Sequence, residues 1–221
     1  MTNQIVYKMK SIIKANLYFF IPLVLLWLLL FIAIFIVEKT ALHLMLNSFH
    51  TNGLDVFFRF YTEVGGFLPF VVAAGLLFYK FGAAIMVLVT QLLVSVPVQV
   101  LKRTIDADRP KLFFEKLQLA FPQVEGVHLH ANHSFPSGHT AAAFALFLCL
   151  TVLVSKRAYK FLFFVLAVGA GFSRIYLSQH FAADVLAGSV VGVLVSYLYL
   201  TYHQKISVSW FDKSLLSWAG K

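Results

Sequence analysis

Apolar residues run along this chain in long uninterrupted blocks, not in the alternating or striped patterns of a water-soluble fold. Residues 17–37, LYFFIPLVLLWLLLFIAIFIV, are 21 positions without a charge, enough to cross a hydrocarbon core of about 30 Å. The block is too long for a signal-peptide core and no small-residue cleavage site follows it, so it reads as a retained helix. Further blocks follow at 54–79, 81–101, 138–155, 159–178 and 181–202. The block at 54–79 is continuous only if LDVFFRFYTEV (54–64) leads into it through Gly65-Gly66. Asp55, Arg59 and Glu63 lie four apart and share one helical face, expected to meet water or headgroups. The pattern predicts an all-α membrane protein, with residues 1–221 forming one bundle of six transmembrane helices.

Composition points the same way. The 221 residues are 60% hydrophobic and 12% charged, against about 45–50% and 25% for soluble domains. Cys149, the single cysteine, lies in an apolar run. That excludes a disulfide framework and a cysteine-based metal cluster, and leaves a small buried hydrophobe as the expectation.

Charge then orients the bundle. Six spans put both termini on one side, together with Lys8, Lys10, Lys14, Lys80, Lys156, Arg157, Lys160, Lys205, Lys213 and Lys221, and with Asp212 as the only acid there. The opposite side carries eight bases and eight acids. The positive-inside rule places the termini in the cytoplasm and the long loop between the third and fourth spans outside. The formal net charge of +9 therefore belongs to the cytoplasmic face. It reads as a topology signal with attraction to anionic lipid, not as nucleic-acid binding.

Polar groups at the outer ends of spans carry the chemistry. Lys102 to Pro110 closes the third span, Ser134 to His139 opens the fourth, and Ser173-Arg174 with His180 and Asp184 crosses the junction of the fifth and sixth. Ionisable groups at membrane depth are costly and mark functional sites. Lys102, Arg109 and Arg174 are three cations suited to phosphate oxygens. Ser137-Gly138 falls at a helix start, where unpaired N–H groups and the helix dipole favour an anion and a glycine permits close approach. His180 and Asp184 are four apart, so the carboxylate can hold one ring nitrogen and leave the other free as base or nucleophile. His139 is available as a general acid.

In residue type, spacing and order, Lys102-x6-Arg109-Pro110, Pro136-Ser137-Gly138-His139 and Ser173-Arg174-x5-His180-x3-Asp184 resemble the motifs of the type 2 phosphatidic acid phosphatase (PAP2) superfamily. The resemblance implies a metal-free, cofactor-free, two-step phosphoryl transfer. In it, His180 oriented by Asp184 is the nucleophile and His139 the acid and then the base. Lys102, Arg109, Ser137, Gly138 and Arg174 hold the phosphate. Short loops and compact size suggest a bacterial inner-membrane enzyme, and the predicted topology puts the site at the outer headgroup level, where the phosphate of a membrane lipid would reach it. Candidate substrates are phosphatidate, phosphatidylglycerol phosphate, undecaprenyl diphosphate or another polyprenyl diphosphate, and the phosphates of lipid A. A phosphotransferase using the same site is an alternative; a vanadium haloperoxidase or a non-catalytic lipid carrier fits less well.

Each element also has a plainer reading. Lys102 and Arg109 alone would serve as interfacial anchors, and Pro136 and Gly138 alone as a loop and a helix start. Three matched spacings together outweigh these. His43, His50, His128, His130 and His133 read as solvated, although VHLHANH (127–133) has the composition of a metal tract. Asn132-His133-Ser134 is formally a glycosylation sequon and is discounted beside the site. Gly188-x-x-x-Gly192 offers a homodimer face, with packing inside the bundle as the favoured use. Segment 111–133 is expected to rim the site, its Phe113, Phe114, Leu117, Leu119 and Phe121 touching lipid.

Overall fold

A computed structural model describes residues 12–206 and 208–219; Lys8, Lys10 and Lys221 lie outside them. The described residues are helical, with no strand among them. The elements run α1 (Ile12–Ala15), α2 (Leu17–Ile36), α3 (Lys39–Leu46), α4 (Asn52–Tyr61), a 3-10 turn at Thr62–Gly65, α5 (Leu68–Leu76), α6 (Phe81–Ile105), α7 (Pro110–Leu117), α8 (Gly138–Leu153), α9 (Arg157–Tyr176), α10 (Ala182–His203) and α11 (Leu215–Ala219).

By length and composition, α2, the helix that begins at Phe81, α9 and α10 can each cross a membrane. The block expected at 54–79 is not one helix. It breaks into α4 with its 3-10 turn and α5, bent by 56°, and adds a fifth span only if the bent pair counts as one. The cause is local. A Cβ on Gly65 would overlap the backbone carbonyl of His139, so the turn closes directly onto the start of α8. Pro69 then opens a new helix in its first turn.

The fourth block is short. α8 has 16 residues, about 24 Å at 1.5 Å per residue. Its length is set by neighbouring protein and not by lipid, because Ala141, Ala143, Phe144, Ala145, Leu146, Phe147, Leu148 and Cys149 are all buried. α6, α9 and α10 surround it. Cys149 is the buried hydrophobe expected, its thiol set against Thr90 Oγ1 at 3.4 Å.

Lipid tails are as apolar as leucine, so helices in a bilayer associate mainly through close packing and polar links. Both occur here. A Cβ on Gly188 would overlap the Ser137 carbonyl oxygen, and one on Gly192 the Ala141 carbonyl oxygen. The glycine pair of α10 is thus spent inside the bundle, seating α10 against α8. Trp27 Nε1 donates to Ser189 Oγ at 2.8 Å and ties α2 to α10. α2 otherwise presents Leu25, Leu29, Ile32 and Phe35 outward, the expected face toward lipid tails.

The excess of bases over acids collects at one end. Lys80 Nζ pairs with Asp212 at 2.7 Å, and Lys160 Nζ donates to Ala15 O at 2.8 Å and Asn16 Oδ1 at 2.7 Å. The motif residues collect at the other end, where α6 finishes, α8 starts and α9 passes into α10. Replacing Gly192 by Val should separate α8 from α10 and cost about 1–3 kcal/mol. Thermal unfolding in detergent should show a lowered Tm that does not depend on protein concentration; a concentration-dependent loss would instead signal a broken dimer.

Candidate active site

The site is built from three chain segments that meet at this end. α6 stops at Asp106, whose φ of 42° is left-handed. The chain then turns so that Arg109 caps α7 with Pro110 in its first turn. Segment 131–134 folds back over it: Arg109 N donates to Ala131 O at 2.8 Å and Ser134 N to Ala107 O at 2.9 Å. Lys102 Nζ donates to His133 O at 2.6 Å, and Arg109 Nε to Asn132 O at 3.0 Å.

Ser137 caps α8, its Oγ accepting from Thr140 N at 3.4 Å and Thr140 Oγ1 at 2.8 Å. The amides of Gly138 and His139 make no hydrogen bond among the described residues. The Gly138 α-carbon faces the Lys102 side chain, since a Cβ there would lie 3.9 Å from Lys102 Cε. One cation and a helix N-terminus therefore look onto the same space.

The α9–α10 junction supplies the imidazole. His180 N and Gln179 N both donate to Arg174 O, at 3.1 and 2.9 Å, which folds the end of α9 into a tight loop. His180 is buried and its Nδ1 lies 3.5 Å from Asp184 Oδ2. The same carboxylate oxygen accepts from Ser134 Oγ at 2.5 Å and from Phe181 N at 2.9 Å. Ser137 N donates to Asp184 O at 2.9 Å, so Asp184 ties the start of α8 to the α9–α10 junction. Burial lowers the pKa of His180 to about 3, opposed by the Asp184 hydrogen bond and reinforced by Arg109 and Arg174. The ring is therefore neutral at physiological pH, with Nε2 as the nitrogen left to act.

Arg174 is buried, and its guanidinium donates to Thr62 Oγ1 in the 3-10 turn. Its Nε has no partner among the described residues. The charges that act on His139 are those of Arg174, Arg109, Lys102 and His130. All eight candidate residues of the sequence (Lys102, Arg109, Ser137, Gly138, His139, Arg174, His180 and Asp184) lie at this one end.

The structure corrects other expectations. Ser134 reads in the sequence only as the edge of a motif, yet it fastens the key carboxylate. Gln179 stands outside every motif position, yet its Oε1 accepts from Arg109 Nη1 at 3.2 Å and its Nε2 donates to His128 O at 2.8 Å. Thr62 and Gln179 carry no spacing signal; their partners lie 112 and 70 positions away. The face of Asp55, Arg59 and Glu63 is not simply solvated, because Asp55 Oδ1 accepts from Tyr176 OH and pairs with His50 Nδ1 at 2.8 Å. His43 is not a solvated histidine: it is 1% exposed. His133 Nδ1 lies 2.9 Å from Asp106 Oδ1 and 3.1 Å from Lys102 O, and His128 and His130 stack edge to face. The rim residue Phe114 is fully buried and stacks on Phe121, while Phe113 packs edge-on to Phe181. These rings anchor the rim to the junction, and only Leu117 and Leu119 of the five named stay exposed.

A buried, oriented imidazole thus stands beside gathered cations and a helix N-terminus at one end of a bundle of apolar helices. The pattern of the PAP2 superfamily matches residues 68–207, and the chain belongs to that superfamily. The crystal structure of Aquifex aeolicus LpxE superposes with a TM-score of 0.64 at 28% identity, over 74% of this chain and 95% of that one. A Bacillus subtilis structure, described as a transmembrane PAP2 type phosphatidylglycerolphosphate phosphatase, gives 0.61 at 25% identity, over 87% and 99%. A lipid A 1-phosphatase of Porphyromonas gingivalis is 41% identical over 70 residues, 31% of this chain but only 16% of that protein. The chain also spans under half the length of two rhizobial lipid A 1-phosphatases that it matches.

Two outcomes follow from the geometry. Ser134→Ala should remove one charge-assisted hydrogen bond from the buried Asp184 and cost about 1–3 kcal/mol of stability, read as a lowered Tm in detergent. The sign of the pH effect on stability is also set. His180 and His43 are both held well below the usual histidine pKa, chiefly by burial, so the unfolded chain binds more protons. Stability should be full above about pH 6.5 and fall as pH drops toward 4, read as Tm in detergent.

Proposed function

We propose that the protein is a multi-pass membrane lipid phosphatase that hydrolyses a phosphate monoester or diphosphate through a phosphohistidine. The observation that carries this reading is the buried His180, held through Nδ1 by Asp184, at the point where Lys102, Arg109 and Arg174 converge. In the first step His180 Nε2 attacks phosphorus, and the bond from phosphorus to the lipid oxygen breaks. His139 delivers a proton to that oxygen. In the second step water attacks the phosphohistidine while His139 takes its proton, releasing inorganic phosphate and restoring both imidazoles.

Charge builds on the phosphoryl oxygens during each step. Lys102, Arg109, Arg174 and the Gly138 amide stabilise it, Ser137 shapes the helix start, and preorganised donors of this kind supply a large share of the rate. The cations perform the neutralisation that a divalent ion performs elsewhere, so the reaction needs no metal or other cofactor.

The fit to a lipid comes from placement. Arg174, His180 and Asp184 lie at the ends of apolar helices, where a headgroup phosphate reaches them while its chains remain in the bilayer. The positive-inside rule puts the net-basic end in the cytoplasm, and on this reading the site, at the other end of the bundle, faces outward from a bacterial inner membrane. LpxE, the lipid A 1-phosphatases and the phosphatidylglycerolphosphate phosphatase among the relatives make phospholipid and lipid A phosphates the first substrates to try, with undecaprenyl diphosphate beside them.

His180→Ala should stay folded in detergent, with a Tm lowered by the lost packing, and lose phosphate release by at least about 10³-fold. Turnover near that of the unmodified protein would remove His180 as nucleophile. Activity should persist in excess chelator, measured as released phosphate across a panel of phosphatidate, phosphatidylglycerol phosphate, undecaprenyl diphosphate and lipid A. Adding glycerol as acceptor tests the transferase alternative, which would yield glycerol phosphate in place of free phosphate.

A further inference from the structure

Gln179 sits between His180 and the left-handed Ser178 (φ 50°) in the tight loop that joins α9 to α10. It is 4% exposed, and a buried side-chain amide needs partners at both ends. The oxygen end, Oε1, accepts from Arg109 Nη1 at 3.2 Å. The nitrogen end, Nε2, donates to His128 O at 2.8 Å. Its backbone joins the same assembly: the carbonyl accepts from Arg109 Nη1 at 3.4 Å, and the N–H donates to Arg174 O at 2.9 Å. One residue therefore touches the Arg109 guanidinium, the rim and the loop that carries His180.

Arginine presents five N–H donors in a rigid fork. Here Nε is taken by Asn132 O at 3.0 Å and Nη1 by the two oxygens of Gln179. Nη2 makes no hydrogen bond or ion pair among the described residues, so both of its donors are in reserve. No carboxylate pairs with Arg109 among the described residues, and Asp184 acts on it only from beyond pairing distance. A neutral amide orients the fork and leaves its charge for an incoming anion; a carboxylate in the same place would cancel that charge. The amide also has a donor for the His128 carbonyl, which a carboxylate lacks. Ser178 next to it fastens the rim at a separate point, its Oγ donating to Pro122 O at 2.8 Å without involving Arg109.

Resting on the phosphatase reading above, we propose that Gln179 is a positioning residue for Arg109: its amide, braced on His128 O, holds the guanidinium so that Nη2 meets a phosphate oxygen. The backbone carbonyls on Arg109 can yield to phosphate when it binds. The side-chain bond stays and keeps the fork in register with His180 through the loop they share. Gln179 itself makes no contact with the phosphate and acts through Arg109.

The test is a double-mutant cycle, which separates action through Arg109 from a general loss of structure. Gln179→Met should lower kcat/KM for lipid phosphate release about tenfold, as for the loss of a charge-assisted hydrogen bond. In the Arg109→Met protein the same change should cost less than twofold. A second arm needs no turnover: calorimetry in detergent with orthovanadate should show the same pattern in Kd. Ser178→Ala, which unties Pro122 alone, should lower Tm and show no coupling to Arg109. Equal losses in the two backgrounds, or coupling of the same size at Ser178, would overturn the assignment. Should Gln179→Met fail to fold, the nearly isosteric Gln179→Glu carries the test. It should lose at least as much as the methionine variant is expected to, and turnover like that of the unmodified protein would overturn the role of the neutral amide. Should the unmodified protein hydrolyse no lipid, the phosphatase reading fails while the orthovanadate cycle still decides the role of Gln179.

Discussion

The Asp184 carboxylate is the constraint on which the site depends. It sits in the first turn of α10, buried, with one oxygen receiving Ser134 Oγ, Phe181 N and the approach of His180 Nδ1. A buried carboxylate without such donors would cost several kcal/mol. Each donor also shapes its own stretch of chain. Ser134 closes the 131–137 segment, Phe181 caps α10, and His180 turns its imidazole toward the site. The backbone of Asp184 accepts from Ser137 N and so fixes the start of α8. Satisfying one charge thereby joins the 131–137 segment to the α9–α10 junction, two stretches far apart in the chain.

The shortness of α8 is the second consequence. A 16-residue helix would end inside the hydrocarbon if lipid surrounded it, leaving terminal N–H groups without partners. Wrapped by α6, α9 and α10, it can start below the ends of its neighbours. Its N-terminus then opens into protein instead of lipid. Gly188, Gly192 and Gly65 let backbone meet backbone around it. Small residues thus do at the helix interfaces what the carboxylate does at the site.

Much of this is legible in the chain. Uncharged runs locate the helices, and three spacings locate the eight residues found together at one end. Other features are not, and for identifiable reasons. The break between α4 and α5 depends on Gly65 meeting the His139 carbonyl, 74 positions on, although the glycine pair marks the place. Thr62 on Arg174 and Gln179 on Arg109 are single contacts between distant segments, and no periodicity announces such pairs. His43 reads as a loop histidine because its burial comes from Phe114 and Phe181, which reach it only after the rim has folded. Periodicity and motif spacing record local and repeated constraints; single tertiary contacts leave no such trace.

The cations of the site are held in a way that bears on their use. Lys102 and Arg109 donate to carbonyl oxygens of His133, Asn132 and Gln179, which are neutral acceptors. A phosphate oxygen carries charge and forms the stronger bond to the same donors. In the proposed reaction, exchange of carbonyl for phosphate would be favourable, and the carbonyls already hold the ammonium and guanidinium groups at this end of the bundle. Arg174 differs: with Thr62 on one nitrogen and Nε unpartnered among the described residues, it is a buried cation with bonding capacity in reserve. Desolvation strengthens such a charge toward an incoming anion and penalises it alone. On the proposed reading the site would combine two cations that trade partners with one whose burial an anion relieves, a combination that would favour a group with several charged oxygens over one with a single charge.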